Sequence, residues 1–236
     1  MIFFDLGQTL IELSSLKSCM YNSLKKHLSY SPIDFNELMY KWGYETHRLF
    51  MKYREKNFID TIEMQVLGLK NILREYEVNI SNKLVHIIVK DVWQNFIKNN
   101  KLCPDAILVL NQLKKSGYKL GLITDSELNI VNSILQKHDL TDFFDVKVVS
   151  GKIKIYKPNP LLFSEAVNLA KCKPKEGVYV GDSEIDIKGA AEVGLITVIV
   201  SRSEIPDPGI GIRPDFRIGS LSELPELVSE INFGEE

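Results

Sequence analysis

The sequence predicts an α/β protein: a doubly wound parallel sheet interrupted near its start by an all-helical insertion. Three observations carry this. After residue 104, short apolar runs of strand length alternate with helical segments, the signature of a parallel sheet layered with helices. A first apolar run, Ile2-Phe3-Phe4, stands apart from that series. Between them, residues 14–100 carry apolar positions at spacings of three and four, as amphipathic helices do.

Taken in order, Ile2-Phe3-Phe4 reads as a buried strand, stopped by Asp5 and Gly7 in a tight loop. The helical block follows in four sets: Leu16, Met20, Leu24, Leu28; Leu38, Trp42, Leu49, Phe50; Ile62, Val66, Leu69, Ile72, Leu73; and Leu84, Ile87, Ile88, Val92, Phe96. Breaks fall at Ser31-Pro32, near Asn57 and near Asn79. A helix over 106–115 closes at Gly117, and a strand follows over 118–123. Then come a helix over 129–138, a strand over 146–149, a helix over 160–170 and a strand over 178–180 that runs into Gly181-Asp182. A helix over 186–193 closes at Gly194, and a strand spans 196–200. A surface loop at 206–211, a short strand at 216–218 and a helix over 221–231 complete the chain. The reading gives an α/β core of residues 1–13 and 101–236 with a helical insertion at 14–100.

Composition narrows the functional classes. A charged fraction of 25% and a net charge of −2 are too balanced for a non-specific nucleic-acid footprint, so no nucleic-acid partner is expected. Cys19, Cys103 and Cys172 form neither a CxxC pair nor a zinc spacing, which fits a reducing cytoplasm. Apolar runs such as 195–200 are strand-length, so no membrane span is expected. Without a basic n-region or cleavage site, no secretory leader is expected either.

In a doubly wound sheet, ligands bind at the carboxyl ends of the strands. The polar residues there are Asp5 in FFDLGQT, Thr124 in LGLITDS, Lys157 in YKPNP, and Asp182 with Asp186 in VGDSEID. Carboxylates at neighbouring strand tips suit a hard cation such as Mg²⁺. A hydroxyl and an ammonium beside them suit a phosphoryl group, which a carboxylate can attack to form an aspartyl-phosphate. Each residue also has a plainer reading. Asp5, Thr124 and Asp182 are each compatible with a helix cap, Lys157 with a solvated loop, and Asp186 with the acid favoured in a first helical turn. In the helical block, Tyr44, His47, Arg48, Lys52 and Arg54 read as a solvated face, and Trp42 and Trp93 as packing.

In this order and at these strand ends, the pieces resemble motifs one to four of the haloacid dehalogenase superfamily, with the helical block in the place of its type-one cap and a Rossmannoid core around it. The resemblance implies a Mg²⁺-dependent phosphatase acting on a small phosphorylated metabolite, as a monomer or homodimer, with the cap choosing the substrate. It implies Asp5 as nucleophile and metal ligand. Thr124 matches the phosphate-binding hydroxyl, joined by the backbone amides of Asp125 and Ser126. Lys157 matches the lysine that steadies nucleophile and phosphate. Asp182 matches a metal ligand, Asp186 the second acid that holds the lysine or the metal's water, and Gly7 a metal ligand through its carbonyl.

One departure matters. Family phosphatases usually carry a second Asp two residues after the nucleophile, to protonate the leaving oxygen and then activate water. Here that position is Gly7. Losing a general acid–base group costs about 10²- to 10⁴-fold in rate. Glu12 and Gln8 lie nearby in sequence. The departure keeps other readings open: a dehalogenase, against which Gly181-Asp182 argues; a phosphonatase-like hydrolase using a cap lysine as a Schiff base; or a non-catalytic relative that binds a phosphoryl ligand or a partner.

Overall fold

A computed structural model describes residues 1–29, 33–54, 56, 58–202 and 212–231. The expected breaks at Ser31-Pro32 and Asn57 and the loop at 206–211 lie outside the described residues. The chain forms two compact units: residues 1–12, 101–125 and 138–236 in one, and residues 13–100 with 126–137 in the other.

The first unit is built on a six-stranded parallel sheet of order β3-β2-β1-β4-β5-β6, with helices on both sides. The strands are β1 (Ile2–Phe4), β2 (Leu120–Thr124), β3 (Val146–Val149), β4 (Val178–Gly181), β5 (Ile196–Val200) and β6 (Phe216–Ile218). β1 through β5 are almost wholly apolar and buried, as a sheet covered on both faces requires. β1 lies at the centre, with Phe4 paired to Leu122 on one side and Val180 on the other. The chain runs outward from β1 to β3, then returns to the other side of β1 for β4. That reversal is a topological switch point, and Asp5, Thr124 and Asp182 end or follow the strands that meet there.

Helices α5 (Ala106–Lys115), α7 (Ser150–Ile153), α8 (Pro160–Ala170), α9 (Glu184–Glu192) and α10 (Leu224–Glu230) belong to this unit. One core cluster gathers Phe3, Ile123 and Tyr179 from the sheet with Leu162, Phe163 and Ala166 of α8 and Ala190 of α9. Phe163 meets the Tyr179 ring edge-on, with centroids 5.1 Å apart.

Boundaries differ from the sequence reading where local bonding overrides pattern. Tyr118 is not in β2: its N–H bonds Leu113 O, closing α5 around Gly117 at φ 83°. α9 starts at Glu184 because Ser183 caps it, and a 3₁₀ turn at Leu221–Glu223 precedes α10. The short α7 follows an apolar strand with no periodicity to announce it.

The second unit consists of α1 (Ser14–Leu28), α2 (Phe35–Tyr53), α3 (Thr61–Glu75), α4 (Asn82–Asn99) and α6 (Leu128–Lys137). α1 packs on α4 and α2 on α3. Buried polar bonds hold those pairs: Ser23 Oγ donates to Ile88 O at 2.9 Å, and Trp42 Nε1 to Gln65 O at 2.8 Å. Ile87, expected on the apolar side of α4, is exposed, while Val85 and Val89 are buried. α6 joins this unit through α4, and Ile62 N donates to the Glu127 carboxylate at 3.3 Å. None of the described helices is long and apolar enough to cross a membrane.

Candidate active site

The site begins where β1 stops. Asp5 N donates to Val180 O at 2.9 Å, which extends the β1–β4 pairing by one residue and fixes the side chain at the sheet's end. Beyond it the chain turns tightly. Gln8 takes a positive φ of 56°, Thr9 N donates to Gly7 O at 2.6 Å, and Leu10 and Ile11 N–H both reach Leu6 O at 2.9 Å. Arg202, just past β5, clamps this turn: it donates to Gln8 O at 3.2 Å and Thr9 O at 3.0 Å while its guanidinium also holds Asp105.

Lys157 is buried at the centre. Its ammonium has three hydrogens, and three oxygens receive it: Asp5 Oδ1 at 2.6 Å, Asp186 Oδ1 at 2.7 Å and the Tyr179 hydroxyl at 2.7 Å. Asp186 is fully engaged. Its Oδ1 also accepts from Tyr179 at 2.7 Å, and its Oδ2 accepts from Ser183 N at 3.2 Å and from Ser183 Oγ. The bond from Ser183 N belongs to a capping box between Ser183 at the N-cap and Asp186 at N3, so one carboxylate both starts α9 and anchors the lysine. Gly181 permits this: a Cβ there would lie 2.6 Å from Asp186 Cβ and Cγ.

Asp182 approaches from β4. One carboxylate oxygen from each of Asp5, Asp182 and Asp186 falls within 4.8 Å of the others, a set able to hold a divalent cation. Thr124 is buried at the end of β2, and the next residue, Asp125, accepts the Lys157 backbone N–H on Oδ1 at 3.2 Å. Ser126 opens the segment that runs into α6 of the helical unit.

Charge is unevenly compensated. Burial raises the Asp5 pKa to about 6; Lys157 opposes this and Asp186 adds to it. Asp182 is pushed up to about 8 by burial and by the charges of Asp5 and Asp186. Asp186 goes the other way: burial works against its charge, but Lys157, Ser183 and Tyr179 outweigh it and hold the pKa below the usual value. Burial disfavours the Lys157 ammonium, yet Asp186, Asp5 and Asp125 more than offset this and raise its pKa. One buried ammonium thus stands among several carboxyls, an excess of negative charge that a cation would relieve.

The arrangement brings together Asp5, Lys157, Asp182 and Asp186 and places Thr124 and Asp125 on the adjoining strand end. Sequence reasoning missed Tyr179 and Arg202. A tyrosine in an otherwise apolar strand was a usable signal, because a buried phenol needs a partner. Arg202 is far from the turn in sequence and gave none. In the helical unit, Tyr44 is 73% exposed, and Arg48 is paired with Glu45 at 2.6 Å.

Comparison with known proteins places the chain in a family. The model of the haloacid dehalogenase-like hydrolases matches residues 2–200. The chain belongs to that family and is a hydrolase of it. Glyceraldehyde 3-phosphate phosphatase of Methanopyrus kandleri is 34% identical over 164 residues, 68% of this chain and 70% of that protein. Pyrophosphatase PpaX of Bacillus cereus is 34% identical over 128 residues, 52% of this chain and only 57% of that protein. Among solved structures, the HAD-hydrolase YfnB of Bacillus subtilis, bound to magnesium, superposes with a TM-score of 0.79 at 19% identity, covering 96% of this chain and 97% of that one. The L-2-haloacid dehalogenase of Xanthobacter autotrophicus gives 0.74 at 16% identity, covering 98% of each chain. At these identities the structural likeness concerns the fold.

Proposed function

We propose that the chain is a Mg²⁺-dependent phosphatase of a small phosphorylated metabolite, working through an aspartyl-phosphate on Asp5. The observation that carries this reading is Asp5 at the central strand tip, bonded to the Lys157 ammonium at 2.6 Å and within reach of a second carboxylate, Asp182. A carboxylate steadied in this way can attack phosphorus in line. Lys157 orients Asp5 and offers positive charge to the transferring group, and Thr124 donates its hydroxyl to a phosphoryl oxygen. Asp186 acts at one remove by holding Lys157, since both of its oxygens are taken.

The donor set fits a hard cation: Asp5, Asp182 and the Gly7 carbonyl would hold it. Gly7 O already accepts the Thr9 N–H, but a carbonyl has two lone pairs. When bound there, the cation would supply charge neutralisation to the phosphoryl oxygens. The two phosphatases among the relatives support the same activity.

A phosphonatase-like reaction is less well supported. A Schiff-base lysine must be desolvated to lose its proton. Among the described residues of 14–100, every lysine is exposed except Lys70, which is half-buried.

The test is phosphate release from p-nitrophenyl phosphate and a panel of sugar phosphates. Turnover is expected with Mg²⁺, and is expected to vanish with EDTA and in Asp5→Asn. Wild-type rates no higher than those of Asp5→Asn across the panel would sink the reading.

A further inference from the structure

We propose that the side chain of Asp125 is a catalytic residue: the proton carrier that protonates the leaving oxygen and then deprotonates the attacking water. This rests on the phosphatase reading above and addresses what that reading lacks, because Gly7 has no side chain to do the work. Asp125 immediately follows Thr124, so it stands at the phosphoryl end of β2. Its Oδ1 is fixed by the Lys157 backbone N–H at 3.2 Å. Its Oδ2 is buried with no hydrogen-bond partner, an arrangement that a purely structural carboxyl would avoid.

The other carboxyls at the strand tips are committed. On the phosphatase reading Asp5 is the nucleophile and Asp182 would hold the cation, and Asp186 has both oxygens engaged. The charged groups that act on Asp125 are Lys157, Asp5 and Asp186. Burial is the largest influence and places its pKa at about 7; Lys157 opposes this, and the two carboxylates add to it. Near neutrality both protonation states are therefore accessible, as a proton carrier requires.

The steps balance. In the first half, a bond forms between Asp5 oxygen and phosphorus while the bond from phosphorus to the leaving oxygen breaks. The Oδ2 proton of Asp125 passes to that oxygen, giving a neutral alcohol. In the second half, a water oxygen bonds to phosphorus, the Asp5–phosphorus bond breaks, and the Asp125 carboxylate takes the water's proton. Asp5 is restored as a carboxylate and Asp125 as an acid.

Asp125→Asn keeps the size and the Oδ1 acceptor but cannot carry a proton. It should be compared with wild type on glycerol phosphate, whose alkoxide must be protonated to leave, and on p-nitrophenyl phosphate, whose phenolate need not be. On glycerol phosphate, kcat is expected to fall by about 10²-fold or more. On p-nitrophenyl phosphate, the variant is expected to release a burst of about one p-nitrophenolate per enzyme and then turn over slowly, because the phosphoryl-enzyme waits for a base. Asp125→Glu, which retains a titrating group, is expected to recover glycerol phosphate turnover with a displaced kcat–pH profile.

Asp125→Asn activity within about threefold of wild type on glycerol phosphate would overturn the proposal, since a proton carrier contributes more. So would equal losses on both substrates without a burst. If the Asn variant does not fold, the Glu variant decides: a displaced pH profile supports the assignment and an unchanged one overturns it. Wild type inert to both substrates would instead overturn the phosphatase reading, and this proposal with it.

Discussion

Lys157 shows how much a single buried residue can settle. Its three donors meet three acceptors, and two of those are carboxylates with little access to water. Removing one partner of such a cluster costs about 3–5 kcal/mol, because the charges left behind remain buried. Lys157→Met is therefore expected to lose about that much stability in urea unfolding, along with turnover. Asp182 has the opposite sign. Its folded pKa, about 8, lies above the ordinary 3.8, so ionising it opposes folding. The penalty is absent below about pH 4 and grows as the pH rises towards 8. Metal-free Asp182→Asn is expected to melt with wild type at pH 4 and above it at pH 8. Mg²⁺ should raise the melting temperature of wild type and not of the variant. Equal melting of the two proteins at pH 8 would show that Asp182 carries no such strain.

At the scale of elements, the end of β4 and the start of α9 act as one device. Ser183 and Asp186 cap the helix reciprocally, and the cap points Asp186 back at Lys157. Gly181 is required because Asp186 lies where its Cβ would be. Gly181→Ala is expected to push Asp186 off the lysine, with a stability loss of about 1–3 kcal/mol. Phosphatase activity should fall at least tenfold, a loss of the order expected for a disturbed acid–base or positioning group. A crystal structure of the variant with the Lys157–Asp186 bond intact would contradict this. The VGDSEID pattern made Asp186 visible in sequence as a first-turn acid, a role that helices favour anyway. Whether it also reached the lysine depended on a glycine five residues earlier and a tyrosine on the strand. Local pattern does not encode such a coincidence.

At the scale of the molecule, the strand order sets the site. Because β1 lies between β2 and β4, three segments far apart in sequence end side by side. The ends of the 13–100 excursion are also close: Glu12 N bonds Lys101 O, and Cys103 N bonds Leu10 O, both at 2.9 Å. That proximity suggests a clean insertion, but α6 complicates it. α6 lies after β2 in sequence yet groups with the helical unit, and Ile130, Val131, Ile134 and Leu135 on it are buried. Excision of residues 13–100 with a short link is expected to expose apolar surface on α6, and size-exclusion chromatography should show association. A monodisperse, cooperatively unfolding product would mean that α6 needs no partner from the excised residues.

The alternation of apolar runs with helical segments determined the α/β class. Apolar strands and amphipathic helices are local consequences of period and burial. The same local logic located Asp5, Thr124 and Asp182, because each sits where a strand run stops, whereas Lys157 lies beyond α7 in the loop before α8. The departure at Gly7 was equally plain. What tertiary structure alone decided is the wiring: Tyr179 and Lys157 on Asp186, Arg202 on the Gln8–Thr9 turn, α6 with the helices, and the unmatched Oδ2 of Asp125. Each depends on how packing brings side chains and backbone together in space and on how deeply it buries them. Hydrogen bonding and desolvation act through space, and sequence spacing does not record them.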